Sequence, residues 1–167
     1  MNRNFLSWAA AAVLAAAGAA DAAVAVRLKL AHSTVIEMEP VVASVTIEND
    51  GREPVELGPT NAPARLQFDI EGSPGSPVRP TGEPLFRAPV TVGPMKSATF
   101  EFDLIPLYTI RAAGPYSVTA RLTINGRMEL SDRLFLDVVP GLAMGRLVVD
   151  LPDAREGRRT CILRTLA

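Results

Sequence analysis

The chain has 167 residues, enough for one domain with short appendages, and its 17 Lys and Arg against 18 Asp and Glu leave a formal net charge of −1. With no basic surplus to neutralise phosphates, this composition argues against nucleic-acid binding driven by net charge. One Cys and one His exclude an internal disulfide framework and a His/Cys-rich metal site.

Residues 1–22 have the pattern of a cleavable signal peptide. Arg3 supplies a short positive region, residues 5–17 form an uncharged apolar run, and Ala20 and Ala22 frame a small-residue cleavage pattern. The run is shorter than the roughly 20 residues of a membrane-spanning helix, and no later stretch is long and apolar enough to span a membrane. We therefore expect cleavage after Ala22, a periplasmic or secreted location, and no transmembrane segment in the mature protein.

Alternation of apolar and polar residues with period 2, which indicates half-buried strands, dominates the next 50 residues. The inward faces of the predicted strands begin at Val24, Val41, Val55 and Leu66. Asn49-Asp50-Gly51 ends the second strand, because these residues tolerate the positive φ of a tight turn.

The stretch from Gly72 to Pro84 holds four prolines and three glycines in 13 residues, so it cannot form a central strand or the interior of a helix. We interpret it as a long surface loop within one domain, the alternative being a linker between two domains. Loops on a rigid scaffold often carry recognition. The candidate partner-binding residues in this loop are Pro74, Pro77, Arg79 and Pro80.

Strand patterns resume after the loop, with a short edge strand predicted over 88–92 and a longer strand at 100–104. One helical turn is predicted within 104–111. The longest alternation runs from Tyr116 to Ile124 and meets Asn125-Gly126, a strong hairpin signal. Its return strand is predicted to reach about Val139. The fold class is therefore all-β, a two-sheet antiparallel sandwich of about seven strands over residues 23–139.

The motif Gly114-x-Tyr116-x-Val118 resembles the start of strand F in immunoglobulin-like sandwiches. In those domains a tyrosine hydroxyl reaches back to the backbone at the E–F corner, and a cysteine follows two residues later. Val118 occupies the cysteine position, so the chain is similar to the disulfide-free immunoglobulin-like or fibronectin-III-like domains of bacterial exported proteins. The resemblance implies structural roles for Tyr116 and Gly114.

A second resemblance involves Asn49, Pro54, Val55 and Leu57, whose spacing is similar to a stretch in the intracellular proteinase inhibitor family. It implies protease inhibition as an alternative function, which would act through the Pro/Gly-rich loop 72–84.

Catalytic and metal-binding patterns are weak. His32 is the only imidazole, lies at a predicted strand end, and is best explained as a surface turn residue. Glu37 and Glu39 fit a solvated acidic turn better than a metal site. Glu101 and Asp103 share an outward strand face, which leaves a hydrolase as a remote alternative. No cofactor motif is present, so the sequence predicts neither catalytic residues nor a cofactor or metal site.

Residues 140–167 predict an additional C-terminal β-hairpin with an apolar second strand that contains Cys161. Three interpretations are open: the hairpin completes an edge of the sandwich, begins a further domain, or adds to a sheet of another subunit. We favour the first, because an isolated two-stranded hairpin is marginal in water. Ile162 and Leu166 are its candidate partner-binding residues, and the last strand offers a route to a homo-oligomer.

Together these patterns predict an exported, non-catalytic binding or structural module. The expected partner is another protein or a component of the cell envelope.

The cleavage site can be checked by mass spectrometry of the exported protein. We expect an N-terminus at Ala23, since the small residues before it match the peptidase pattern. A mature chain that still contains Trp8 would contradict this prediction.

Overall fold

The computed structural model describes residues 24–59, 62–73, 75–150 and 158–166. The signal segment and Pro74 lie outside these ranges. Within them, one short helix, α1 (Leu104–Leu107), accompanies thirteen strands. The strands are β1 (Val24–Leu30), β2 (Thr34–Ile36), β3 (Val42–Asn49), β4 (Val55–Leu57), β5 (Ala64–Gly72), β6 (Ser76–Pro77), β7 (Val90–Val92), β8 (Lys96–Asp103), β9 (Gly114–Ile124), β10 (Arg127–Leu130), β11 (Leu134–Val139), β12 (Leu142–Asp150) and β13 (Arg158–Thr165).

Two sheets pack face to face and confirm the predicted all-β sandwich. The small sheet has the order β1-β3-β8, and the large sheet has the order β2-β11-β9-β5-β4-β7, with β10 on β9 and β6 on β5. Burial alternates strictly along β3 and β9, because successive side chains of a strand point to opposite faces. The alternation in the sequence therefore identified the inward faces correctly.

Strand pairing adds details that the alternation does not contain. Most neighbours are antiparallel, but β2 pairs with β11 in parallel, and so does β4 with β5. The predicted return strand after Asn125-Gly126 is two strands, β10 and β11, separated by Ser131–Arg133. Asn125 and Gly126 both have positive φ, 49° and 82°, as the predicted type I′ turn requires.

An aromatic cluster joins the two sheets through the core. Phe68 of β5 meets Phe102 of β8 edge-to-face, with ring centroids 5.7 Å apart. Phe86, from the segment before β7, contacts Phe100 and Phe102 in the same geometry. Edge-to-face pairs place the positive edge of one ring on the negative face of another, which adds to the stabilisation from burial.

Two buried polar side chains complete backbone hydrogen bonds where strands end. The Asn49 amide nitrogen donates to the carbonyl oxygens of Glu53, Val92 and Gly93, and its oxygen accepts from the Gly51 N–H. The Ser131 hydroxyl accepts from the Ala120 N–H at the break between β10 and β11. Since unpaired buried backbone groups are costly, these side chains stabilise the irregular points of the sandwich.

Tyr116 lies at the start of β9, with its side chain buried. Its hydroxyl donates a 2.7 Å hydrogen bond to the carbonyl oxygen of Ala112, four residues upstream. Gly114 has φ +145°, a conformation that residues with a Cβ rarely adopt. The Tyr116 side chain thus ties the start of β9 to the backbone that precedes it.

A second tyrosine, Tyr108, forms a hydrogen bond with the backbone of the large sheet. Tyr108, directly after α1, is buried, and its hydroxyl accepts a 2.9 Å hydrogen bond from the N–H of Phe68 in β5. Burial raises the pKa of the Tyr108 hydroxyl, although the bond from Phe68 acts in the opposite direction. The phenol therefore stays neutral throughout the physiological pH range.

The C-terminal residues form the predicted hairpin but do not complete the sandwich. β12 and β13 pair with each other in a separate two-stranded sheet. The favoured interpretation, in which the hairpin adds to a sandwich edge, is therefore wrong for the described residues.

Replacing Tyr108 by Phe should destabilise the fold by about 1–3 kcal/mol at neutral pH, because the buried Phe68 N–H loses its acceptor. Urea unfolding measures this change. Tyr116→Phe is the matched control, and its effect should be smaller, because the Ala112 carbonyl is only partly buried. Equal losses in both variants would contradict the role assigned to Tyr108.

Alkaline pH should destabilise the protein through the same residue. In the unfolded chain Tyr108 loses its proton near its usual pKa of about 10, whereas the folded state holds the proton to higher pH. The stabilisation is therefore complete below about pH 10 and is lost as pH rises through the folded pKa. Urea midpoints measured across this range should fall, and Tyr108→Phe should weaken the dependence. An unchanged dependence in the variant would contradict this assignment.

Candidate functional site

The hairpin β12–β13 and the residue after it carry most of the exposed large hydrophobic side chains of the described residues. Among the described residues twelve large hydrophobic side chains are exposed, and seven of them belong to residues 142–166. These seven are Leu142, Met144, Leu147, Val148, Ile162, Leu163 and Leu166. Exposed apolar residues scattered singly are ordinary, but a contiguous patch marks an interaction surface.

The register of the hairpin divides these side chains between two faces. Side chains of directly paired residues lie on the same face of a two-stranded sheet. One face therefore holds three pairs: Leu142 with Thr165, Gly145 with Leu163, and Leu147 with Cys161. We call this the leucine face. The Val149–Arg159 pair falls on the leucine face as well. The opposite face, here the arginine face, carries Ala143, Arg146, Val148, Thr160, Ile162 and Arg164, followed by the Asp150–Arg158 pair. A bulge at Met144 keeps Leu142 on the leucine face.

The base of the hairpin lies against the end of the large sheet. An apolar hollow of about 300 Å³ lies between Thr34, Val139, Leu142 and Leu166. Gly141 has φ +68°, and a Cβ there would approach Ile36 Cγ2 to 3.0 Å. A residue with a Cβ would therefore be strained at this position, where the chain passes from β11 into β12.

The Pro/Gly-rich segment 72–84 is hydrogen-bonded to the sandwich on two sides. The Val78 N–H donates to the Ile70 carbonyl of β5, and the Thr109 N–H donates to the Arg79 carbonyl. Pro77 and Pro80 are exposed, as is Arg79. The predicted surface loop thus includes the two-residue strand β6, and two of its candidate residues, Pro77 and Pro80, line a concavity on the large sheet, whereas Arg79 does not.

This concavity has a volume of about 420 Å³ and lies over β5 and β9. Arg121 occupies its floor, with a guanidinium nitrogen 3.0 Å from Asp69 and 3.3 Å from the Gln67 amide oxygen. Arg133 lies 3.7 Å from Glu71. The Arg121 Nε is buried without a hydrogen-bond partner among the described residues. The result is a polar hollow in which the two carboxylates are paired with arginines.

The remaining candidates for chemistry are dispersed. Asp103 accepts backbone hydrogen bonds from Val41 and Ile105, so it joins β8 to α1 and the start of β3, whereas Glu101 is exposed. Glu39 accepts from the Ile36 N–H, and His32 is exposed at the end of β1. Across the described ranges, no three His, Cys, Asp or Glu side chains come close enough to hold a metal ion.

Sequence reasoning identified part of the hairpin surface and missed the rest. It named Ile162 and Leu166, which are 50% and 46% exposed, but not Leu142, Leu147 or Leu163. A usable signal was present: consecutive apolar residues, as in 147–149 and 161–163, place apolar side chains on both faces of a strand. The polar hollow had no such signal, because Asp69 and Arg121 are far apart in the chain.

No helix in the described ranges has the length and apolar character of a membrane span.

No family model and no curated protein matches the chain. A CARDB domain of a Pyrococcus furiosus protein, in complex with di-metal ions, is similar with a TM-score of 0.45 and 17% identity over 71% of this chain and 94% of that chain. Spo0M, a sporulation control protein of Bacillus subtilis, is similar with a TM-score of 0.44 and 15% identity over 83% of this chain and 65% of that chain. A beta-glucosidase of Listeria innocua in complex with glucose is similar with a TM-score of 0.42 and 13% identity over 70% of this chain and 16% of that chain. These similarities assign neither a family nor a ligand.

Proposed function

We propose that this protein is an exported, non-catalytic β-sandwich module that binds a protein partner through its C-terminal hairpin. The observation that carries the proposal is the concentration of exposed apolar side chains on β12 and β13. The sandwich serves as the rigid support, and the hairpin supplies the contact surface.

Energetics support this assignment. A two-stranded hairpin without a third strand or a covered face is marginal in water. Leu142, Leu147 and Leu163 are 58%, 63% and 67% exposed, and each fully buried leucine contributes about 1.5–3 kcal/mol. A partner that covers them would therefore stabilise the hairpin and gain affinity from the same contacts.

The hairpin also offers backbone groups to a partner. The described sheet topology contains no third strand beside β12 or β13. An unpaired strand edge is a template for an added strand of another chain, and main-chain hydrogen bonds then add to the apolar contacts. A protein, rather than a small molecule, matches both features.

Export is part of the proposal and rests on the signal pattern of residues 1–22. The non-catalytic assignment is supported by what the candidate residues do. Asp103 is engaged with backbone amides, and the carboxylates of the polar hollow lie against Arg121 and Arg133. Neither the protease-inhibitor nor the hydrolase alternative has an observation in its favour.

Site-specific photo-crosslinking in the producing cells tests the function. With p-benzoylphenylalanine in place of Leu147, irradiation should yield a defined protein adduct, identified by mass spectrometry, because position 147 lies within the contact surface. The same probe in place of Met95, which is 73% exposed on the turn between β7 and β8, is the matched control.

An adduct at position 147 with little or none at position 95 supports the proposal. No adduct at position 147, or equal adducts at both positions, would overturn it. Circular dichroism of the purified variants verifies that both retain the β fold.

A further inference from the structure

The polar hollow over β5 and β9 has the dimensions of a small-molecule site. Side chains on the outward face of the two strands form its floor, where Gln67 pairs with Arg121 and Asp69 pairs with Thr119. Its volume of about 420 Å³ lies within the roughly 300–1,000 Å³ of ligand pockets. The hollow can therefore hold a ligand of a few linked rings at most.

The charges of the hollow favour a neutral ligand. The charged side chains that line it are two arginines and two carboxylates, so their formal charges cancel. They are also paired, Arg121 with Asp69 at 3.0 Å and Arg133 with Glu71 at 3.7 Å. An ionic ligand would have to separate one of these pairs or lie beside a like charge, whereas a neutral ligand can bind both members of a pair.

The hydrogen-bonding groups of the hollow favour hydroxyls. Arg121 has five N–H donors, and its contacts with Asp69 and Gln67 both use the same terminal nitrogen. The Tyr108 side chain, only 7% exposed, also lines the hollow, and because its hydroxyl accepts from the Phe68 N–H, its own proton is left for an acceptor. A hydroxyl both donates and accepts, so it can bridge a carboxylate and a guanidinium.

The walls of the hollow are apolar. Pro77 and Pro80 line it from the segment before β7, and Leu130 lines it from β10. Such walls make van der Waals contacts with the C–H groups of a ring whose hydroxyls face the floor. A peptide that adds as a strand does not fit, because β5 lies between β9 and β4, and β9 lies between β11 and β5.

We propose that the polar hollow is a binding site for a short neutral saccharide. The sugar hydroxyls bind the paired carboxylates and guanidinium groups of the floor, and the C–H groups of the ring lie against the proline and leucine walls. The inference goes beyond the proposed function, because the hollow and the hairpin consist of different residues.

Ligand-observed saturation-transfer NMR on the purified protein tests this site. The probes are glucose, galactose, mannose, N-acetylglucosamine, maltose and cellobiose, with glucosamine and glucuronate as charged counterparts. At least one neutral sugar should receive saturation from the protein. Both charged sugars should bind more weakly than that neutral sugar, because the charges of the floor are already paired.

Two matched pairs of substitutions locate the bound sugar. Thr119→Trp fills the hollow and should abolish binding, whereas Thr123→Trp, on the same face of β9 but outside the hollow, should leave it unchanged. Arg121→Met should weaken binding by about tenfold or more, because hydrogen bonds to a charged donor are lost. Arg65→Met, on the same face of β5 but outside the hollow, is its control.

Circular dichroism verifies that all four variants keep the β fold. Absence of saturation transfer to every neutral sugar would overturn the inference, and so would tighter binding of glucosamine or glucuronate. Binding that persists in Thr119→Trp, or equal affinities in Arg121→Met and Arg65→Met, would also overturn it. None of these results bears on the hairpin, which photo-crosslinking at position 147 tests separately.

Discussion

The structure depends on one constraint: every buried backbone N–H and C=O group needs a hydrogen-bond partner. Within the strands the ladders satisfy it. Where a ladder stops, a side chain takes over, as Tyr108 does for the Phe68 N–H, Ser131 for the Ala120 N–H, and Asn49 for the carbonyls around β7. These side chains provide hydrogen-bond partners for backbone groups that the strand ladders leave unpaired.

The hairpin β12–β13 satisfies this requirement for backbone hydrogen bonds only in part. The inner edges of β12 and β13 satisfy each other, but the ribbon has neither a covered face nor a third strand among the described residues. Its apolar side chains are therefore in contact with water, in contrast to Val118, Ala120 and Leu122 of β9, which are fully buried. The sandwich thus covers its own apolar faces, whereas the hairpin leaves apolar side chains exposed, which is the basis on which we propose a partner for it.

Much of the sandwich could be predicted from period-2 alternation, because the direction of a side chain from a strand is a local property. The faces of β3 and β9 and the turn at Asn125-Gly126 follow from neighbouring residues alone. The parallel pairing of β2 with β11, the attachment of segment 72–84 and the acceptor role of Tyr108 do not. Each joins residues that are distant in the chain, and their meeting depends on how the sheets pack.

The candidate site also combines features that local sequence predicts with features that depend on the tertiary structure. The sequence by itself determined an all-β chain, its strand faces and an apolar C-terminal hairpin, because these depend on local backbone preferences and on the two-residue repeat of a strand. Only the tertiary structure decided that the hairpin forms a two-stranded sheet of its own beside the end of the large sheet, with Leu142, Leu147 and Leu163 on one face. The physical reason is that the register of the two strands, with its bulge at Met144, pairs residues across the hairpin and so assigns each side chain to a face.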